Sequence, residues 1–447
     1  MDPIKEYINK NKKKFLNELD EFIRFKSIST DKNYSEEMKK CRDYVIKSLQ
    51  AIGAKASPLE THGIDAVYGE LCCHEKAKTV LIYGHYDVQP AHKDDGWESE
   101  PFKIEKKDGR FFARGTADDK GPVLAVIKAI ETLQNTSKIK LNFKFLIEGE
   151  EESGSSLGEC IKENKSRLKS DLVFVSDTEW LTKDTPAIPY SLRGIVYAFI
   201  RVNGTNVDVH SGTYGGMLKN PHLELARILT QLKDENEKVL IPNFYDKVKT
   251  ISDSEKKLMS EIPFDIKHVE QELGTELTSK NKVELFIKQG AMPTFEVHGI
   301  TGGYTGNGAK TIIPAYAEAK VSMRLVHEQN PKEIFDSFVK KVKSINSKAI
   351  VTLGSMDEPF LIDYKNEYLQ KASKVMEKVF DKKPAFTREG ASIPVTVTLK
   401  RELNIPVVLF GIGNYDCHIH SPKENLSEEH FYLGIEAIAK YFVEISE

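Results

Sequence analysis

Residues 79–87, TVLIYGHYD, set four apolar or aromatic positions, Val80 to Tyr83, directly ahead of Gly84, His85, Tyr86 and Asp87. A short run of this kind, closed by a glycine and polar residues, reads as a strand buried on both faces, the habit of parallel sheets. The chain repeats it. LNFKFLIE over 141–148 leads into Glu150, Glu151 and Glu152, DLVFVSD over 171–177 ends on Asp177, and VVLFGIGN over 407–414 precedes His418 and His420. Between the first two runs, Val123, Ile127, Ile130 and Leu133 recur at helical spacing behind Gly121-Pro122, a pair suited to a first helical turn. Strands alternating with such helices predict an α/β fold whose central sheet is mostly parallel.

Around 186–189 the pattern changes. The next elements read strand (IVYAFIRV), helix (HLELARILTQL), strand (FEVHG), strand (TIIPAYAEAKVSMRLV), helix (EIFDSFVKKVKSI) and strand (AIVTLGS). That order, β-α-β-β-α-β, is ferredoxin-like α+β. A polar stretch of roughly 234–289 is too long for a plain loop and reads as an insertion with its own helices. After Pro359 the α/β pattern resumes with YLQKASKVMEKVF, VVLFGIG and FYLGIEAIAKYFVE. We therefore expect a discontinuous main α/β domain over 1–189 and 360–447, interrupted by a ferredoxin-like domain over 190–359.

Composition sets the outer limits. At 447 residues the chain has room for two or three domains with a buried core. Hydrophobic residues at 40% and charged residues at 29% exclude a disordered chain, and 64 Lys+Arg against 67 Asp+Glu leave no one-sign field to draw nucleic acid or an anionic membrane. No apolar run approaches the 18 or so residues of a membrane span, and MDPIKEYINKNKKKF carries charges where a secretory signal needs apolar residues. Lys12 to Lys14 fit one solvated helix face. The five cysteines lack a CxxC pair and read as reduced thiols, so the expected location is the cytoplasm.

Ligand sites in open α/β sheets lie beyond the carboxyl ends of the strands, and here those ends run into acids and imidazoles. Asp118-Asp119, ahead of the Pro122 helix, adds two carboxylates. Histidines and carboxylates without cysteine suit zinc, manganese or cobalt, and a shared carboxylate holds two such ions about 3.5–4 Å apart, which points to hydrolysis. Taken singly, each piece has a plainer reading. His85 and Asp87 share a strand face and could simply satisfy one another, the run Glu148 to Glu152 could be a solvated turn, and Asp118 or Asp177 could cap a helix. Their convergence on one sheet edge favours the metal. GGYTGNGAKT fails as a phosphate loop because Ala309 separates Gly308 from Lys310, and neither GxGxxG nor HExxH occurs.

Together YGHYDVQP, RGTADDKGP, EGEEESGS, SDTEW, VHSGTYGG, SMRLV, REGASIPV and CHIHSPKENL resemble the co-catalytic zinc aminoacylase/carboxypeptidase-G family, and within it the carnosinase-like branch of cytosolic dipeptidases. The motifs span nearly the whole chain in family order. The resemblance implies a dinuclear metallopeptidase with zinc-peptidase-like catalytic domain and a lid through which two copies dimerise. It makes His85, Asp118 and Asp177 ligands of one ion, Asp118 the bridge, and Glu152 and His420 ligands of the second. Glu151 matches the general base. Asp87 is implied as the partner of the far nitrogen of His85, fixing its tautomer. Spacing alone leaves His418 and His420 open; the match of His420-Ser421 selects His420.

Within the inserted domain, His210 matches a histidine that reaches the neighbouring subunit's site to support the oxyanion; without the resemblance it is a turn residue before Gly212. Arg324 alternates with an apolar strand face, which suits a solvated guanidinium or a bidentate clamp on a substrate carboxylate, and the resemblance favours the clamp. Thr311 and Ser392 match further substrate contacts, while Ala391 stands where relatives often carry a glycine. Aspartate at position 177 is associated in the family with dipeptidases, which favours dipeptide hydrolysis over the alternative, an N-acyl-amino-acid deacylase or desuccinylase.

Overall fold

The computed structural model describes residues 2–137, 140–390 and 393–447. In chain order its main strands are β1 (Lys55–Leu59), β2 (Ala66–Leu71), β3 (Lys78–His85), β4 (Leu141–Glu148), β5 (Leu172–Val175), β6 (Gly194–Asn203), β7 (Thr294–Thr301), β8 (Tyr316–Leu325), β9 (Ile350–Asp357) and β10 (Val407–Leu409). The helices used below are α1 (Pro3–Arg24), α2 (Lys120–Thr136), α3 (Pro221–Leu229), α4 (Pro331–Ile345) and α5 (Glu428–Ser446).

The central sheet has the order β1-β2-β4-β3-β5-β10. Strands β4, β3, β5 and β10 are mutually parallel, and β2 runs antiparallel to both of its neighbours. The four apolar runs thus became the parallel centre; β5, for example, is buried at every position, and β4 is interrupted only by the half-buried Asn142 and Lys144. From β3 the chain moves to β4 on one side, then crosses to β5 on the other. The seam between β3 and β5 is therefore the topological switch where such sheets open a crevice at their carboxyl edge. Register makes the crevice polar: Tyr83 pairs with Val175, so two residues further on His85 and Asp177 stand level.

Strands β7-β8-β6-β9 form a separate antiparallel sheet, the ferredoxin-like arrangement read from the element order. Alternate residues of β6, Val196, Ala198, Ile200 and Val202, bury against Phe338 and Val342 of α4 and Leu225 and Ile228 of α3. This core is distinct from the main one, which draws on residues between Ile4 and Leu192 and again between Phe360 and Ile445. The polar stretch carries three helices, Asp253–Glu261, Ile266–Leu273 and Lys282–Gly290, with a small core of their own.

One expected element divides. The run 311–326 is two strands, because Pro314 has no amide to give a ladder. Ile312–Ile313 pairs instead with Val209–His210, and β8 starts at Tyr316. The amide of Ala315 turns to Asp208 Oδ1 at 2.9 Å. Among the described residues, no helix is long and apolar enough to cross a membrane.

Candidate metal centre

Four carboxyl ends of the central sheet and the start of α2 deliver the polar cluster. His85 closes β3, Glu151 and Glu152 follow β4, Asp177 follows β5, and His420 lies in the loop after β10. Asp118 precedes α2 across a cis peptide to Asp119. Asp119 Oδ2 in turn accepts the amide of His85 at 3.1 Å, locking the end of β3 to the turn that presents Asp118.

Asp118 is the centre of the cluster. Its Oδ1 lies 3.0 Å from His85 Nε2 and its Oδ2 lies 2.9 Å from His420 Nε2. Asp177 Oδ2 is 3.9 Å from His85 Nε2, and Glu152 Oε2 is 3.2 Å from His420 Nε2. Two overlapping groups result, His85–Asp118–Asp177 and Asp118–Glu152–His420, each with donor atoms within 4.8 Å of one another. Donors about 2.0–2.2 Å from one tetrahedral ion stand roughly 3.3–3.6 Å apart, so the separations suit one divalent cation per group.

The electrostatics fit such cations. Against the opposing effect of burial, hydrogen bonds from His420 and His85 hold the Asp118 carboxyl well below its usual range. Burial and the Asp118 charge push Asp177 up to about 7. Hydrogen bonds to Asp118 and Glu152 push His420 up to about 10, so the field draws positive charge to the point where the two imidazoles and the carboxylates converge. Two cationic side chains beside Asp118 in sequence are committed elsewhere: buried Lys120 donates to the carbonyls of Phe22 and Phe25, and Arg114 is paired with Glu424. One Asp119 oxygen, Oδ1, is buried with no hydrogen-bond partner among the described residues.

The acidic run divides its work. Glu148 accepts from Tyr83 Oη at 2.6 Å, and Glu150 accepts the amides of Ile64 and Ser156, so both are scaffold. Glu151 and Glu152 remain for the centre. Burial, together with the Asp177, Glu152 and Asp118 charges and against the pull of His85, raises Glu151 to about 8. Gly154–Gly158 has the G-x-S-x-G spacing of a serine-hydrolase elbow, yet Ser156 Oγ donates to Glu150 and has no place in a nucleophilic triad.

Asp87 does more than its expected task. The nearer acceptor for His85 Nδ1 is the Asp87 main-chain carbonyl at 3.1 Å, with carboxylate Oδ1 at 3.3 Å, so Nδ1 carries the proton and Nε2 faces the cluster. The carboxylate itself accepts from Ser29 Oγ at 2.6 Å and from the amides of Glu151 and Glu152 at 3.2 and 3.0 Å. Residue spacing could not show this clamp, nor Gln89 Nε2 donating to Glu152 at 2.8 Å, because both depend on loops from different strands.

Of the remaining candidates, His210 and Thr311 come together on the ribbon of Val209–His210 and Ile312–Ile313, where the Ser211 amide donates to the Thr311 carbonyl. Both are exposed, and His210 Nδ1 accepts the Gly212 amide at 3.0 Å. Arg324 lines a cleft of about 560 Å³ with Ser322, His298 and Arg193. Arg193 escaped the sequence reading. Its Nε donates to the Gly390 carbonyl at 3.2 Å, and burial with the neighbouring Arg324 charge lowers it to about 10, a pairing that favours an anion. His418, at φ 52°, is exposed. Ser392 and Ala391 lie outside the described residues.

One buried aspartate shared between two His-plus-carboxylate sets, at the carboxyl edge of an α/β sheet, defines the class of co-catalytic metallohydrolases. The chain belongs to peptidase family M20/M25/M40, whose model matches residues 81–444. It is 33% identical to the Cys-Gly metallodipeptidase DUG1 of Candida albicans, over 99% of this chain and 96% of that one. Human carnosine dipeptidase 1 has the same fold with a TM-score of 0.85 at 28% identity, over 99% of this chain and 98% of that one. The metallo-carboxypeptidase Sso-CP2 of Sulfolobus solfataricus matches with a TM-score of 0.89 at 29% identity, over 97% and 99% of the two chains.

Proposed function

We propose that the chain hydrolyses the peptide bond of dipeptides with two divalent ions, one held by His85, Asp118 and Asp177, the other by Asp118, Glu152 and His420. The reading is carried by the Asp118 carboxylate, whose two oxygens face two imidazoles at 3.0 and 2.9 Å. When bound, such ions polarise the scissile carbonyl and lower the pKa of a shared water toward about 7; zinc is the choice made here, and manganese and cobalt accept the same donors.

Glu151 takes a proton from the attacking water and passes it to the leaving amine. Asp87 holds Glu151 and Glu152 by their amides and sets the His85 tautomer through its own main-chain carbonyl. Arg324, with Thr311 and Ser392, grips the carboxylate of the substrate, and Arg193 adds positive charge to the same cleft. The names of the relatives, a Cys-Gly metallodipeptidase and a carnosine dipeptidase, support dipeptides.

Residues 1–189 and 360–447 form the catalytic part and 190–359 the lid, a division supported by the two separate cores. The lid also joins two copies, so that His210 of a second copy stabilises the oxyanion. The exposure of Val207, Tyr214, Met217 and Leu218 around His210 supports this. The five free cysteines support a cytoplasmic location. Turnover of Xaa-Gly dipeptides compared with N-acetyl and N-succinyl amino acids tests the reading. Dipeptides are the better substrates if it is right, and faster turnover of acylated amino acids would overturn it in favour of a deacylase.

A further inference from the structure

The segment SPKENL, 421–426, follows His420 and contains a glutamate that the metal assignment does not use. Glu424 has no accessible surface. Its Oε1 accepts three main-chain amides, Gly115 at 2.9 Å, Ala117 at 3.1 Å and Asp118 at 3.2 Å. Its Oε2 accepts Arg114 Nη1 at 2.5 Å, and Arg114 is itself only 3% exposed. A carboxylate out of water is costly unless its lone pairs are met by donors, and charge-assisted bonds from amides and a guanidinium meet them here.

The partners matter more than their number. All three amides belong to the turn that presents Asp118, including the amide of Asp118 itself. On the other side Glu424 is built into the loop of His420: the Glu424 amide donates to the Ser421 carbonyl at 3.2 Å, and the Asn425 amide donates to the Cys417 carbonyl at 2.9 Å. One side chain therefore fastens the loop of the shared carboxylate to the loop of an imidazole that contacts the same carboxylate.

We propose that Glu424 is a positioning residue that pre-forms the metal centre, holding Asp118 between His85 and His420 before any ion arrives. The inference rests on the reading of Asp118 as the shared ligand. It explains how two loops from opposite ends of the chain meet closely enough for one carboxylate to face both imidazoles.

Glu424→Gln tests it. The amide oxygen still meets the three N–H groups, but the new NH2 opposes the Arg114 donor. Titrating the metal-free variant with Zn²⁺ or Mn²⁺ should show affinity at least about tenfold weaker than in the parent, the scale of loss typical when the support of a ligand is removed. At saturating metal kcat recovers and KM is unchanged. A folded Glu424→Gln protein that binds the ions as tightly as the parent overturns the proposal. A second measurement needs no variant: in the metal-free parent, hydrogen exchange at the amides of Gly115, Ala117 and Asp118 should already be slow. Exchange as fast as in exposed loops until metal is added also overturns it. Asp118→Ala serves as the control: if that variant keeps both ions, the metal assignment fails rather than the role of Glu424.

Discussion

Asp87 illustrates why buried carboxylates in this centre are not interchangeable. Its oxygens are taken by Ser29 and the amides of Glu151 and Glu152, so it fixes the backbone of that turn. Glu151 is held by its amide while its carboxyl stays inside the cluster. Replacing Glu151 by Ala should lower kcat by at least about 10²-fold while metal content stays at the parental level, since the residue is the proposed base and belongs to neither candidate ligand group. Near-parental turnover, measured with metal content in the same sample, would refute the assigned base. His85, Asp177 and the run Glu148 to Glu152 were legible in the sequence because they close apolar strand patterns, whereas the roles of Asp118, Glu151, Glu152 and His420 came from the family resemblance. What spacing left open was the choice between His418 and His420; the family motif selects His420, whose Nε2 lies 2.9 Å from Asp118 and 3.2 Å from Glu152. Arg193, Gln89 and Glu424 stayed hidden because their partners lie on other loops, a distance that no local pattern encodes.

At the scale of elements, strand order and register do the positioning. The reading of β3, β4, β5 and β10 followed from their short apolar runs, and the ferredoxin-like reading followed from the β-α-β-β-α-β order of the patterns; the strand break at Pro314 needed the partner strand to be seen. Helix α5 offers a test of packing. His430, in its first turn, lies against Trp180 with ring centroids 4.1 Å apart, and burial is the main cause that lowers it to about 4. The unfolded chain, with an ordinary histidine near 6.5, binds a proton that the folded chain refuses, so stability falls as pH drops from about 6.5 to about 4. In His430→Phe that part of the slope disappears. Chemical denaturation of the metal-loaded proteins at pH 5 and 6.5 should show a smaller difference for the variant, and equal differences would contradict the assignment.

Across the whole molecule, the proposed function assigns metal ligands and base to the catalytic part, and the carboxylate clamp and, from a second copy, the oxyanion donor to the lid. Two inactive variants with defects in different parts should then complement. Mixing His210→Ala subunits with Glu151→Ala subunits should restore part of the activity through hybrid dimers, since one of the two sites combines an intact base with an intact histidine. No recovery after subunit exchange has been verified by mass spectrometry would argue against the trans role. Anomalous scattering from crystals grown with Zn²⁺ or Mn²⁺ should show two peaks, one among His85, Asp118 and Asp177 and one among Asp118, Glu152 and His420, each about 2.0–2.2 Å from an Asp118 oxygen. A single peak, or two that do not share Asp118, would contradict the account.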